Sequence, residues 1–478
     1  MIRKAFSTIA LVLALTLALS CLTAYADLYA QDEVESLVQQ AWQQAMEAAS
    51  QDGTRQAEVT SKKKKSIATD SGTVKKKVYS ISDGTYTMRY LMSVIGDADE
   101  NGLYPLYICL HGGGSDSADG KINNGQWVAM YDYYRDSVTS GIYVAVRGIT
   151  NNWNLHFEDA SYALYDRLIE DMIVFKHADP NRVYLLGFSA GGDGVYAVSP
   201  RMADRFAAVD ESSGHPNSVS LVNVANLPMC IQAGIRDTMF EPKRSVAAAA
   251  FDEILSGYAQ TYGFGYEHQV YIHVPEGHNY RDNEAEAGST QKVLAEPQTF
   301  VDAMEDPEVE EAFDYSYSYD LSDEVNEAFT ELVEELGLQT VQADTNAVRF
   351  VNRYVRNANP EQVVWDLSVR ASGRETTSFY WLDADREVNT GVIEVSFDAE
   401  SNTFTVSLPQ EPNGDFSILL RPGLVDFSRP VCVSYAGKTV EVDVKLDEDL
   451  MAATAADTLD AEMVSAARIS FASLGLKD

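Results

Sequence analysis

Short apolar runs alternate with helix-length segments between residues 106 and 274. The runs are nearly continuous, which is typical of strands buried on both faces of a parallel sheet. Before them, Val78–Ser82 and Thr85–Ile95 flank Asp83-Gly84, a dipeptide that favours a hairpin turn. The six later runs are Leu106–Leu110, Ile142–Val146, Val183–Leu186, Phe206–Val209, Met229–Ala233 and Val270–Val274. The pattern predicts an α/β domain over residues 75–283, with a mostly parallel sheet flanked by helices.

The apolar pattern changes to a period of two after residue 345, which is typical of strands with one buried face. The predicted strands are Val363–Arg370, Ser378–Leu382, Val392–Phe397, Thr403–Leu408, Phe416–Leu420, Val431–Tyr435 and Val440–Leu446. A short helix near Asp449–Ala456 and a last strand near Ala466–Phe471 follow. Residues 345–478 are therefore predicted to form a small antiparallel β domain.

The N-terminal part, residues 27–74, is predicted to hold one helix and a linker. Residues 32–50 place apolar side chains at helical spacing, whereas residues 51–77 are polar and contain Lys62–Lys65 and Lys75–Lys77. We interpret the lysine-rich stretch as a solvated linker. The alternative is a basic patch that pairs with an acidic surface elsewhere in the molecule.

Charge and length narrow the classes of function. The 478 residues include 36 Lys and Arg against 72 Asp and Glu, a net charge of −36. So acidic a surface argues against nucleic acid and anionic membranes as partners, because both need clustered basic residues. No apolar run reaches the length of a membrane span.

Residues 1–26 have the pattern of a cleaved signal peptide. Arg3 and Lys4 precede the apolar run Ile9–Leu22, and Ala24-Tyr25-Ala26 fits the small-residue cleavage rule. The protein is therefore expected to be exported, with lipid attachment at Cys21 as an alternative. The other cysteines, Cys109, Cys230 and Cys432, have no metal-binding spacing. No metal or organic cofactor is expected.

Two glycine-rich motifs carry candidate chemistry. Gly187-Phe188-Ser189-Ala190-Gly191 matches G-x-S-x-G between a predicted strand and a predicted helix, where the motif exposes a nucleophilic serine. His111-Gly112-Gly113-Gly114 follows the strand Leu106–Leu110. The N–H groups of Gly112, Gly113 and Gly114 are predicted to form an oxyanion hole with the N–H of Ala190. A glycine turn without chemistry is the alternative.

A nucleophilic serine needs a base, and the base needs an acid that orients it. Asp237 and His278 follow Ser189 in the order of this fold class, each in a loop just after a strand. Ser189, Asp237 and His278 are therefore the candidate catalytic triad. A capping Asp and a surface His are the alternatives, and Glu211 is a rival acid.

Three further residues are candidates for the substrate pocket. Trp153, His156 and His215 lie in loops that follow strands at the same edge of the predicted sheet. The alternative is that they pack within their own loops. His111 is predicted to shape the glycine loop rather than to transfer protons.

These motifs resemble those of secreted bacterial α/β hydrolases, the group of polyhydroxybutyrate depolymerases, feruloyl and acetylxylan esterases and dienelactone hydrolases. The similar segments include Arg182–Asp210, Trp153–Phe157, Gly214–Asn217 and the C-terminal Arg421–Asp426. The resemblance spans about residues 75–478. It implies an α/β-hydrolase fold, a C-terminal β domain and a Ser/Asp/His triad at 189, 237 and 278. The subgroup's members are mostly named by fold, so the resemblance implies no substrate.

One departure from that group is an acidic segment over residues 284–344. It has 18 acidic residues and Lys292 as its one basic residue, which predicts too much repulsion for a compact core. The run Val325–Leu336 predicts an amphipathic helix. We interpret the segment as a helical lid near the active site, lined by Phe313, Tyr315, Tyr317 and Tyr319. The alternative is a surface appendage packed on the back of the sheet.

The sequence thus predicts a secreted serine hydrolase that cleaves carboxylic esters, either small or attached to a polymer. A serine peptidase on the same fold is one alternative, since fold does not fix function. A non-catalytic binder of polysaccharide or protein is the other. The sequence assigns no ligand to the C-terminal β domain.

Overall fold

The computed structural model describes residues 28–60, 63–114, 120–238, 241, 243–280, 288–313 and 323–477, with the backbone alone over 323–326. The predicted signal peptide, with Cys21, lies outside the described residues, as do Tyr315, Tyr317 and Tyr319.

The predicted N-terminal helix is confirmed as α1 (Gln31–Gln51). It packs against the C-terminal part of the chain. The Gln31 side chain accepts a hydrogen bond from the N–H of Phe427 at 2.9 Å, and the Trp42 indole N–H donates to the carbonyl of Leu459 at 3.1 Å. The first helix therefore closes against residues near the other end of the chain.

The prediction of a linker over residues 51–77 is wrong. α2 (Gly53–Glu58) is followed by an antiparallel hairpin of β1 (Lys64–Thr69) and β2 (Gly72–Lys77). Lysine pairs dominated the sequence pattern, but Ile67 is buried and anchors one face of the hairpin in the core. One buried apolar side chain is enough to fix the hairpin, because the hairpin packs on a helix of the main domain.

The main sheet has ten strands, and its apolar runs confirm the predicted α/β core. The strands are β3 (Tyr79–Ser82), β4 (Thr87–Ile95), β5 (Tyr104–Leu110), β6 (Gly141–Arg147), β7 (Ala178–Phe188), β8 (Ala208–Ser212), β9 (Met229–Gly234), β10 (His268–His273), β11 (Gln291–Leu294) and β12 (Thr340–Ala343).

The strand order is β12-β11-β10-β9-β8-β7-β5-β6-β4-β3. The six central strands, β5 to β10, are parallel to one another. Antiparallel strands extend the sheet at both edges. This mostly parallel sheet, entered through a hairpin, is the predicted α/β-hydrolase fold.

Helices cover both faces of the sheet. They are α3 (Lys121–Tyr133), α4 (Asp159–Lys176), α5 (Ala190–Val198), α6 (Arg244–Tyr262), α7 (Pro297–Ala303), α8 (Pro307–Phe313), α9 (Asp323–Glu335) and α10 (Ala347–Val351). Residues of α4, α5 and α6 share one core with Ile108 of β5, whereas residues of α3 and α10 share the other with Tyr107 and Cys109. Alternate residues of β5 therefore fill opposite cores, as the continuous apolar run predicted.

The acidic segment is partly integrated into the main domain rather than forming a helical insertion. Its strands β11 and β12 extend the sheet beyond β10. The Phe300 and Phe313 rings are 5.2 Å apart, and the Phe313 and Phe329 rings 4.8 Å apart. Phe313 is fully buried, so its predicted place on the approach to the pocket is wrong. The amphipathic helix is confirmed as α9. Repulsion did not prevent this packing, because carboxylates occupy the solvent side while the phenylalanines face inward.

The C-terminal region has two further sheets and thus confirms the predicted β domain. Their strands are β13 (Gln362–Asp366), β14 (Ser378–Phe379), β15 (Leu382–Asp383), β16 (Val392–Asp398), β17 (Thr403–Gln410), β18 (Ser417–Leu420), β19 (Val431–Tyr435), β20 (Lys438–Val442) and β21 (Ala467–Ser470), with α11 (Glu448–Thr458) before the last. The strand orders are β13-β16-β17-β19-β20 and β14-β15-β18-β21. All pairs are antiparallel except β17 with β19.

Buried ion pairs join this β region to the main domain. Arg374 lies between two carboxylates of the main domain, with its Nε 2.7 Å from Asp166 and its Nη1 2.8 Å from Asp204. Arg356 donates from Nη1 to the carbonyl of Asp204 in the main domain at 2.8 Å and pairs with Asp460 of its own region. Because these charges are excluded from water, their mutual pairing is needed to offset desolvation.

Candidate active site

Ser189 stands at a sharp turn between β7 and α5. Its backbone has φ 59° and ψ −125°, a strained conformation for a residue other than glycine. A Cβ at Gly187 would meet the carbonyl of Gly191, and one at Gly191 would meet the carbonyl of Leu110. The two glycines of the motif are therefore required by close backbone approach. The turn presents the serine at the carboxyl edge of the sheet.

The structure brings the three predicted triad residues together. The Nδ1–H of His278 donates to Asp237 Oδ2 at 2.8 Å, and Nε2 lies 3.0 Å from Ser189 Oγ. Asp237 follows β9 by three residues and His278 follows β10 by five, so neighbouring parallel strands deliver both side chains to one edge. With Nδ1 as the donor, Nε2 is left to accept the serine proton.

The loop that carries Asp237 is held by its own backbone. The N–H of Asp237 donates to Gly234 and its carbonyl accepts from Ser245, each at 2.9 Å. Its second carboxylate oxygen faces Arg244, with Nη1 at 3.6 Å. The fully buried carboxylate therefore lies between the His278 ring and the Arg244 guanidinium.

The rival acid, Glu211, has a different environment. Its Oε2 accepts the N–H of Gly214 at 2.9 Å, and its side chain is fully buried. Burial holds the pKa of Glu211 well above its usual range. The Glu211 carboxyl is bound to a backbone loop, whereas His278 Nδ1 bonds to Asp237, and this geometry favours Asp237 as the acid.

The glycine loop lies against the serine, but its three glycines differ. A Cβ on Gly112 would lie 3.0 Å from Ser189 Cβ, which places that glycine directly beside the nucleophile. The N–H of Ala190 belongs to the first turn of α5 and has no acceptor within the helix. The N–H of Gly114, in contrast, donates to Asn123 Oδ1 at 2.8 Å. The prediction of Gly114 as an oxyanion donor is therefore wrong, because its N–H is occupied by a side chain.

Two buried histidines hold the glycine loop in place through hydrogen bonds of their rings. The Nδ1–H of His111 donates to Gly112 at 2.5 Å, and its Nε2 accepts from Gly148 at 3.2 Å. The Nε2–H of His156 donates to the carbonyl of His111 at 2.9 Å. Burial lowers the pKa of His156 to about 3 and holds that of His111 well below its usual range. His111 shapes the loop as predicted, whereas the prediction of His156 as a pocket residue is wrong, because its ring is buried in the loop's support.

The other predicted pocket residues lie near the rim. Trp153 is 49% exposed, and its ring covers Gly114 so closely that a Cβ there would clash with it. His215 bonds through its ring to Asn217 Oδ1 at 2.9 Å and to the Glu241 carbonyl at 3.3 Å. Trp153 thus borders the oxyanion loop, and the ring contacts of His215 belong to its own and a neighbouring loop.

The sequence analysis missed Asn123 and Phe188 as parts of the site. Asn123 is fully buried in α3, and its Nδ2 donates to the Asn151 carbonyl at 3.0 Å. The Phe188 ring lies 5.3 Å from that of His278, with Tyr133 5.4 Å beyond it. Phe188 could have been found, because it precedes the nucleophile. Nothing in the sequence around Asn123 indicates its partner.

The described part of the chain holds neither a metal-binding cluster of side chains nor a membrane-spanning helix. No group of three or more His, Cys, Asp or Glu residues there is arranged to hold a metal ion. No helix in the same ranges is long and apolar enough to cross a membrane.

No protein-family model and no curated protein matches the chain. Among solved structures, a thermostable esterase aligns over 52% of this chain and 69% of its own, with 18% identity and a TM-score of 0.31. A carboxylesterase from Mesorhizobium loti aligns over 42% of this chain and 92% of its own, with 17% identity and a TM-score of 0.29. A carboxylesterase from Bacillus cereus aligns over 41% of this chain and 89% of its own, with 17% identity and a TM-score of 0.29. At TM-scores this low, the likenesses carry no argument about the site or its substrate.

Proposed function

We propose that the protein is a serine hydrolase that cleaves carboxylic esters through an acyl-enzyme. The observation that carries the proposal is the continuous chain of hydrogen bonds from Asp237 through His278 to Ser189, at 2.8 and 3.0 Å, on a strained turn. Nucleophile, base and orienting acid are within the reach that general-base activation of a serine needs.

In the first half-reaction, Ser189 Oγ attacks the acyl carbon and His278 Nε2 takes the hydroxyl proton. The tetrahedral intermediate collapses as the bond to the alkoxy oxygen breaks, and His278 returns the proton to the leaving alcohol. In the second half-reaction, His278 deprotonates a water that attacks the acyl-enzyme. The carboxylic acid product leaves and Ser189 regains its proton.

The oxyanion of each intermediate would bind to backbone N–H groups. We assign Ala190 as one donor, with Gly112 and Gly113 as the loop's contribution, since the Gly114 N–H already has an acceptor. Asp237 would hold His278 in the tautomer that accepts at Nε2 and stabilise the imidazolium. Phe188 and Trp153 would border the acyl and alcohol groups on either side.

The proposal extends to location and substrate class. The predicted signal peptide supports an exported enzyme, and the position of the half-buried Ser189 at the sheet edge suits an ester that is either small or attached to a polymer. A peptidase remains the alternative chemistry, because a triad serves both bonds.

A fluorophosphonate probe tests the nucleophile, since it labels activated serines covalently. We expect the wild-type protein to be labelled and Ser189→Ala to lose labelling. Ser218→Ala, at an exposed serine of a loop on the same edge, is the matched control and should label as the wild type does. Labelling that persists in Ser189→Ala would contradict the proposal.

Bond preference is tested by comparing p-nitrophenyl acyl esters with peptide p-nitroanilides at equal concentration. The ester proposal requires kcat/KM for an ester to exceed that of every anilide, with both lost in Ser189→Ala. An anilide turned over faster than the esters would assign the peptidase instead. Folded protein that turns over neither class and resists the probe would assign the non-catalytic alternative.

A further inference from the structure

The hairpin of β1 and β2 carries an unusual set of like charges. The register places Lys64 directly opposite Lys77 and Lys65 directly opposite Lys76, in a chain whose net charge is −36. Like charges at opposed positions of an antiparallel pair repel one another. The lysine hairpin, residues 63–77, is therefore a local basic surface that the fold itself does not favour.

The alternation of a strand decides where these side chains point. Ile67 is buried against the core, so Lys65 and Lys76 share its face and Lys64, Lys75 and Lys77 lie on the opposite one. The last three are exposed to solvent. Lys64 lies opposite Lys77, and Lys75 lies two residues before Lys77 on the same strand. The three ammonium groups therefore form a triangle on the outer face.

An acidic side chain offsets part of the repulsion on the inner face of the hairpin. Lys76 lies 3.7 Å from an Asp132 carboxylate oxygen and 4.3 Å from the ring centre of Tyr131. Across the described ranges, no acidic side chain forms an ion pair with Lys64, Lys75 or Lys77. An anionic partner would supply the missing charge.

We propose that the outer face of the lysine hairpin binds a linear acidic polysaccharide that carries carboxylate groups. A thin flexible chain can place a few charges on this triangle while the rest stays away from the acidic remainder of the molecule. A bilayer or a nucleic-acid duplex presents dense negative charge over a wide surface, which the net charge of −36 repels.

The hairpin also links this surface to the flank of the candidate active site. Near its turn, the Ala68 carbonyl accepts from Asn124 at 2.9 Å, one residue from the Asn123 that fixes the oxyanion loop. Lys64 is four residues away, roughly 14 Å along the strand. Binding would hold a polymer beside the hydrolase site without touching it, so the inference does not depend on the proposed chemistry.

The test measures binding of fluorescein-labelled polygalacturonate to the full-length protein at low salt. The variant is Lys64→Gln, Lys75→Gln and Lys77→Gln combined. The matched control, Lys438→Gln, Lys445→Gln and Lys477→Gln combined, changes the net charge equally at exposed C-terminal positions. We expect the hairpin variant to bind about tenfold more weakly and the control to bind as the wild type does.

Salt and stability separate binding from misfolding. Three lysine contacts predict that log Kd rises with log salt concentration with a slope of about 2, which the hairpin variant should lose. The variant should melt no lower than the wild type, because it loses like-charge repulsion. Equal weakening in both triple variants would overturn the proposal. Tighter binding of a duplex oligonucleotide or of phosphatidylserine vesicles than of polygalacturonate would also overturn it.

Discussion

Asn123 determines which N–H groups of the glycine loop remain available to an oxyanion. Its Oδ1 takes the N–H of Gly114, and its Nδ2 ties the loop to the Asn151 carbonyl. Asn123→Ala frees the loop, so we expect kcat for an ester to fall about 10- to 100-fold with KM changed by less than about threefold. Asn123→Asp keeps the acceptor and should recover part of kcat, whereas the exposed Asn101→Ala should have no effect. A change confined to KM would count against a positioning role.

The two candidate acids make opposite predictions. Asp237→Asn should lower kcat/KM by about 10³- to 10⁴-fold, because an amide favours the wrong histidine tautomer. Glu211→Gln should change it by less than about threefold, because glutamine has the same shape and the Glu211 carboxyl bonds to the Gly214 N–H, whereas His278 Nδ1 bonds to Asp237. Steady-state kinetics on one ester measures both, and the reverse order would reassign the acid.

The contrast between Ser189 and Gly114 explains what the sequence could predict at this scale. Ser189, Asp237 and His278 are each specified by a local pattern, a turn motif or a strand end, and parallel strands bring such ends together. The partner of Gly114 comes from a helix whose asparagine looks like any polar residue. The prediction of His156 as a pocket residue was wrong for a related reason, since the burial of its ring depends on how three separate loops pack together.

At the scale of elements, the phenylalanine cluster decides whether the acidic segment is part of the core. Phe313 contacts the Phe300 and Phe329 rings and is fully buried. Phe313→Ala should therefore lower the free energy of unfolding by about 3 to 5 kcal/mol, measured by urea denaturation. A loss below about 1 kcal/mol would show that the segment packs independently of the fold.

Helix α4 carries a second testable element, a buried carboxyl. Burial is the main cause that raises the pKa of Glu170 from 4.5 to about 7, although Arg55 lies 2.8 Å away. The folded protein then binds this proton more tightly than the unfolded chain. Its contribution to stability is complete below about pH 4.5 and is lost as the pH rises through about 7.

We therefore expect the melting temperature of the wild type to fall between about pH 5 and about pH 7.5 more than that of Glu170→Gln. Glu334→Gln, at an exposed position of α9, should leave the slope unchanged. If the melting temperatures of all three proteins changed equally with pH, the raised pKa assigned to Glu170 would be contradicted.

Charge patterns misled the sequence analysis of two elements for one reason. Residues 51–77 and 284–344 were both judged by the number of their charges, yet a strand or helix needs few apolar positions when another element covers them. Ile67 fixes the hairpin, and three phenylalanines fix the acidic segment. The runs of the central sheet carried no such ambiguity, because burial on both faces leaves mostly apolar positions.

For the whole molecule, Arg374 makes the C-terminal β region part of the hydrolase fold. It pairs with Asp166 and Asp204 at 2.7 and 2.8 Å in a buried interface. Arg374→Ala leaves two buried carboxylates without this partner and should cost about 3 to 5 kcal/mol of the free energy of unfolding. Arg429→Ala, at a half-exposed pair, should cost less than about 1 kcal/mol. Equal losses in the two variants would contradict a special role for the interface.

The contact between α1 and the C-terminal region imposes an order in time. Gln31 and Phe427 are 396 residues apart, so a ribosome adding about 5 to 20 residues per second delivers the second roughly 20 to 80 s after the first. Throughout that interval, the side of the first helix that docks on the C-terminal region lacks this partner and is open to chaperones, export machinery or a neighbouring nascent chain. A circular permutant in which residue 477 is linked to residue 28 and new ends open at Gly102 would make helix and partner almost simultaneously. The natural order instead leaves the first helix without this partner until Phe427 and the residues around Leu459 have emerged.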